Sequence, residues 1–134
     1  MRRTGLLIAL AAILLGATAP LLAHHAFSAE FDQAKPIKLT GQITKLEWTN
    51  PHAWLLIDVK GPDGKVVPWR LEMGAPNALL RSGWSREDIT PGVTVTVSGF
   101  LARAGGTIGN AFQVRLPDGR DLFAASSVKD AAAK

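Results

Sequence analysis

Apolar and polar residues alternate at every second position along much of this chain, the period of a half-buried strand. Ile37-Leu39-Gly41-Ile43 opens the series, and a first strand is predicted over 37–48. The phase slips between Ile43 and Leu46, which predicts a bulge that lets a long strand bend. Leu55-Ile57-Val59 marks a second strand over 53–60, and Val67-Trp69-Leu71-Met73 a third over 66–73. Pro62-Asp63-Gly64 turns between them, because proline presets φ and glycine accepts a positive φ. Pro68 lacks an amide hydrogen, so the third strand is expected to meet an edge or a bulge there. After Gly74 the period changes. Pro76 suits a first helical turn, residues 78–81 continue it, and Gly83 is the stop. Ser85-Arg86-Glu87-Asp88 has the form of a capping box. Val93-Val95-Val97-Gly99-Leu101, with Thr94, Thr96 and Ser98 between, is a fourth strand. A glycine-rich loop at 104–109, a fifth strand at 110–116 and a short segment at 121–124 complete the series.

Three strands, one short helix, then two or more strands is the order of a five-stranded barrel of the OB type. The expected fold class is all-β: a small five- to six-stranded OB-like Greek-key barrel with the helix between strands three and four. Closure would bury the alternating apolar face and hide the strand edges. A small β-sandwich is the competing architecture, but a single helix at that position is unusual in one.

The chain ends change the picture. Met1-Arg2-Arg3-Thr4 is basic, residues 5–22 are apolar apart from Thr18, and Ala23 precedes a polar stretch. This is the three-part layout of a secretory signal peptide, with cleavage expected after Ala23. An uncleaved anchor is the alternative, disfavoured by the early Pro20. The domain plan is then a signal peptide over 1–23, an N-terminal arm over 24–36, the barrel over 37–125 and a disordered tail over 126–134. Phe27 and Phe31 suggest that the arm packs on the barrel. Export implies a periplasmic location with no membrane span after processing. The absence of cysteine excludes disulfides, thiolate metal sites and a lipid-attachment cysteine. The formal charge of +4 includes Arg2 and Arg3, so the mature chain is only mildly basic, and its cations are scattered among acids. Nucleic-acid binding, which leaves a basic stripe, is not expected.

The first two strands meet at Leu46-Glu47-Trp48-Thr49-Asn50-Pro51-His52-Ala53-Trp54. This corner holds one of three histidines and two of four tryptophans. Pro51 keeps Asn50 out of helical geometry, so the chain turns or runs extended here. Trp54 is out of phase with Leu55-Ile57-Val59 and faces the other way. With His52 and the 104–109 loop it would line the rim that OB barrels use for ligands. Asn50, His52 and Trp54 are therefore the candidate ligand or partner residues. The bland reading gives Trp54 a covering role outside the barrel and His52 a turn-capping hydrogen bond. Trp69, on the Val67-Leu71 face, is expected in the core.

Several motifs resemble a known family. His24-His25-Ala26-Phe27, Glu30-Phe31-Asp32, Glu47-Trp48-Thr49-Asn50-Pro51-His52-Ala53, Glu72-Met73-Gly74-Ala75-Pro76-Asn77, Leu80, Gly83-Trp84 and Asp118-Gly119-Arg120 are similar to exported bacterial proteins grouped as domain of unknown function 6152. The resemblance spans nearly the whole mature chain and implies a periplasmic single-domain protein. It brings no activity, substrate or catalytic residue.

The residues themselves give no catalytic constellation. There is no Gly-x-Ser-x-Gly nucleophile turn, Glu87-Asp88 suits a helix start, and the 104–109 loop lacks the lysine of a phosphate loop. No enzyme activity is expected. The histidines offer a different chemistry. Cleavage after Ala23 makes His24 the amino terminus, whose amine (pKa ~7.8) and imidazole (~6.5) both release protons near neutrality. Such a nitrogen-rich set favours Cu(II). His25 or His52 would add a nitrogen, and Glu30, Asp32 or Glu72 an oxygen. Against this stands the plain reading that polar residues are tolerated after a cleavage site. Three functions follow as expectations: a non-enzymatic binding module taking a small ligand or envelope protein at the His52 rim; a copper-binding protein using His24, His25 and His52; and a structural envelope protein with no specific ligand.

Overall fold

A computed structural model describes residues 27–125. The expected signal peptide at 1–23, the histidines at 24 and 25 and the tail at 126–134 lie outside those residues. After helical residues 27–30, the elements in chain order are β1 (Phe31–Glu47), β2 (Trp54–Lys60), β3 (Val66–Glu72), helix α1 (Pro76–Arg81), a 3-10 turn (Arg86–Asp88), β4 (Thr94–Ala102), β5 (Ile108–Arg115) and β6 (Asp121–Phe123). The protein is all-β, with one six-stranded sheet in the order β3-β2-β1-β4-β5-β6. Neighbours along that order are antiparallel. A parallel contact joins β3 to β5 through Arg70↔Ile108, Leu71↔Gly109 and Glu72↔Asn110. That seam spans three pairs, against the seven that join β2 to β3, so the sheet is unevenly closed.

The phase slip in the first strand is a register shift between Ile43 and Lys45 against β2. It lets β1 pair with β4 through its earlier half and with β2 through its later half. Pro68 lies in the part of β3 that borders β2 alone, ahead of the stretch β5 pairs, so its missing N–H removes little. The capping box forms as the sequence predicts: the Ser85 side chain accepts from the Asp88 amide, and Ser85 N donates to Asp88 Oδ2 at 2.9 Å. Gly83 ends α1 with φ +92°, a conformation that disfavours any residue with a Cβ.

One difference concerns the N-terminal arm. Residues 31–36 are strand rather than arm, because Phe31 and Asp32 pair with Ala102 and Leu101 of β4. A register shift between Asp32 and Pro36 absorbs the proline. Phe31 is buried beside Phe100 and Ala102, and Phe27 and Phe112 pack against them. The arm is thus held by a satellite aromatic cluster, with ring centroids 5.4 Å apart for Phe27–Phe31 and 6.2 Å for Phe27–Phe100. Each well-buried phenylalanine contributes about 1.5–3 kcal/mol relative to exposure.

The main core lies on the other face. Ile43, Leu55, Ile57, Leu71, Met73, Leu79, Val95, Val97 and Val114 are fully enclosed. Trp69 packs against this cluster from its margin, as its phase predicts. Trp84 closes one end of the core, 3% exposed, with its indole Nε1 donating to the Phe123 carbonyl at 2.7 Å. Gly99 allows the approach of β4 and β5 at their bulge, since a Cβ there would collide with the Asn110 carbonyl.

Candidate functional site

Strand registers assemble one transverse row on the face opposite the core. Glu47 pairs with Trp54, Trp54 with Glu72, Glu72 with Asn110, and Asn110 with Phe100. Their chain neighbours Leu55, Leu71 and Ala111 point into the core, so the row faces outward by the two-residue alternation. It runs across five strands and crosses the β3–β5 seam at Glu72–Asn110.

The β1–β2 corner hangs over this row. The peptide bond between Asn50 and Pro51 is cis, and Thr49 Oγ1 donates to the His52 carbonyl at 3.2 Å. Ala53 N donates to Gly74 O and Met73 N to Ala53 O, tying the corner's end to the end of β3. His52 is thereby placed with Nδ1 2.9 Å from Glu72 Oε1. The imidazole side chain is 40% exposed and the carboxylate 11%. A buried carboxylate therefore orients an imidazole that solvent reaches. Among the described residues no hydrogen bond engages His52 Nε2. Burial pushes the Glu72 carboxyl up from its ordinary 4.5; the His52 charge opposes this, Glu30 adds to it, and Arg70 opposes it.

Trp54 is half-buried, and the Arg70 guanidinium stacks over its ring at 4.1 Å. Arg70 Nη2 also lies 3.2 Å from Glu47 Oε2. Hydrogen bonds from Lys45 and from Arg70 hold the Glu47 carboxyl below its usual range. The loop between β4 and β5 joins the same neighbourhood, since Arg70 N donates to Thr107 O at 3.0 Å. Of the predicted rim residues, the structure thus brings His52, Trp54 and the 104–109 loop around β3. Asn50 is exposed on the corner, and no described hydrogen bond ties its side chain to the others.

Asn110 is not among the residues the sequence singles out, and it proves unusual. It is 5% exposed, and its Oδ1 has no hydrogen-bond partner. A buried acceptor without a donor costs free energy, so such atoms are rare in folded proteins. Its polar character in a strand of otherwise ordinary pattern was the one available clue.

His24 and His25 of the predicted copper set lie outside the described residues. Among the described residues, no group of three or more His, Cys, Asp or Glu is arranged to hold a metal ion, and no helix is long and apolar enough to cross a membrane.

Fold and site together define an all-β protein with a polar-aromatic rim above a buried carboxylate. The sequence model of a family described as "Family of unknown function (DUF6152)" matches residues 11–111, and the chain belongs to that family. No curated protein and no solved structure matches the chain.

Proposed function

We propose that the chain is an exported, non-enzymatic binding module on an OB-like barrel, taking a small ligand or an envelope partner at the rim around Asn50, His52 and Trp54. The barrel reading draws support from the strand pairings, which link β1, β2, β3, β5 and β4 in a cycle, and from α1 between β3 and β4. OB barrels bind ligands on the face of strands two and three, between the first and fourth loops. Here those are the His52 corner and the loop that meets β3 at Thr107. The export reading rests on the basic start and apolar run before Ala23.

The observation that carries the rim reading is the His52–Glu72 contact. A partly buried carboxylate has given up hydration to fix the orientation of a solvent-facing ring, an arrangement suited to meeting a ligand. The test compares wild type with His52→Ala and Trp54→Ala, both verified as folded, in capture of ligands and partners from the cell envelope. A captured species lost in both variants supports the module. Identical capture by all three proteins removes the rim and leaves a structural envelope role.

A second reading, Cu(II) binding at a processed His24 terminus with His25 or His52, is favoured by the same contact. A histidine that ligates metal commonly directs its other ring nitrogen to a carboxylate, and Glu72 on Nδ1 leaves Nε2 available. Adding one residue before His24 is expected to abolish tight Cu(II) binding while the fold persists. Equal affinity with and without that residue sinks the copper reading.

A further inference from the structure

Two side-chain oxygens at the Glu72–Asn110 step of the transverse row have no described donor. Glu72 Oε1 faces His52 Nδ1, yet among the described residues no hydrogen bond reaches Glu72 Oε2. Asn110 Oδ1 is enclosed and unpartnered. The two residues are in register on adjacent strands, about 4.8 Å apart, with side chains on the same face. The charges that act on the Glu72 carboxyl are His52, its ion-pair partner when protonated, Glu30, which adds negative potential, and Arg70, which is drawn to Glu47 and the Trp54 ring.

We propose that Glu72 and Asn110 form a subsite for a primary ammonium group carried by a small-molecule ligand. This rests on the rim-binding reading and supplies its ligand chemistry. An alkylammonium has three N–H donors and no acceptor, so one group can serve both oxygens at once. With the short β3–β5 seam parted enough to uncover Asn110 Oδ1, one N–H meets that oxygen and a second meets Glu72 Oε2. The orphaned oxygen thereby acquires its donor, and the buried carboxylate a counter-charge at hydrogen-bond distance. A metal ion suits the step less well, since the described side chains assemble no metal-binding group. An anion is excluded by two carboxylates and a carbonyl oxygen. Phe100, next in the row beyond Asn110, gives the alkyl part an apolar neighbour.

The experiment titrates n-butylammonium into the purified protein and follows the Asn110 side-chain amide and the His52 ring by NMR. Tetramethylammonium, which has the charge but no N–H, serves as the comparison probe, and a lysine-containing peptide distinguishes a free amine from a protein-borne one. Saturable shifts are expected with n-butylammonium and not with tetramethylammonium. Asn110→Leu is expected to weaken binding at least tenfold, the effect of losing one charge-assisted hydrogen bond, and Glu72→Gln to weaken it further. Absence of saturable shifts in wild type, equal response to both probes, or unchanged affinity in Asn110→Leu overturns the proposal. Saturation by the peptide alone overturns the small-molecule assignment. Should Asn110→Leu fail to fold, Glu72→Gln decides by the same criterion. If His52→Ala and Trp54→Ala lose a captured envelope species while wild type ignores n-butylammonium, the rim reading stands and the ammonium subsite does not.

Discussion

Asn110→Leu is expected to stabilise the unliganded protein. The substitution exchanges an amide for an apolar group of the same branching and larger volume at a position 5% exposed. In wild type, Oδ1 is enclosed and has no protein donor among the described residues. Leaving a buried acceptor unpaired costs about 1–3 kcal/mol, whereas an apolar group there has no such debt. Leucine also extends the satellite cluster, because Asn110 pairs directly with Phe100. The expected net gain is about 1–3 kcal/mol, and each kcal/mol moves Tm by about 4–8 °C in a domain of this size. Urea unfolding followed by tryptophan fluorescence, with far-ultraviolet circular dichroism as second probe, measures it at equal m-value. A variant less stable than wild type by 1 kcal/mol or more refutes the reasoning: the amide would then have a stabilising role that no contact of the orphaned oxygen explains.

Trp84→Phe removes the indole donor and strands the Phe123 carbonyl at the end of the core; a loss of about 1–3 kcal/mol in urea unfolding is expected, and a loss under 0.5 kcal/mol contradicts the anchoring role. Gly99→Ala forces a Cβ against the Asn110 carbonyl and separates β4 from β5 at their bulge; it is expected to cost at least about 1–3 kcal/mol by overpacking, and wild-type stability refutes the close approach. Burial raises the folded-state pKa of Glu72 above 4.5, so between 4.5 and that raised value the folded chain holds more proton than the unfolded one. Its contribution is complete below 4.5 and is lost as pH rises through the raised value. Asp88, Asp118 and Asp121 work oppositely, since hydrogen bonds from Arg120, from Arg120 and from Arg115 lower their pKa values, and their support is lost as pH falls below 3.8. Unfolding midpoints of wild type and Glu72→Gln from pH 4 to 8 isolate Glu72: the difference is expected to shift in the variant's favour with rising pH, and a pH-independent difference contradicts it.

What the sequence made legible was local. Alternation revealed β2, β3, β4 and the later part of β1, because each has one face in the core, while β6 was read only as a short segment; the phase slip after Ile43 and the Ser85–Asp88 box were equally plain, since backbone and neighbours decide them within a few residues. The His52–Trp54 corner was readable for the same reason. Residues 31–36 were not, because Asp32-Gln33-Ala34-Lys35 has no alternation and its pairing partner lies far along the chain on β4. Glu72 appeared only as one acid among several, and Asn110 not at all. Their meeting depends on a parallel register between β3 and β5 that neither strand's own pattern encodes.

That seam also sets how the sheet can breathe. Of the pairings around the five-strand cycle it is the shortest, three residue pairs beside the nine that join β1 to β4. Opening the cycle at any of its other four junctions breaks a longer ladder, so within the cycle the β3–β5 junction is expected to part most readily. The outer row crosses that boundary between Glu72 and Asn110. A ligand held by both side chains would act as a rivet across two strands, and its arrival would register as slowed amide exchange along β3 and β5 as well as in the residues it touches.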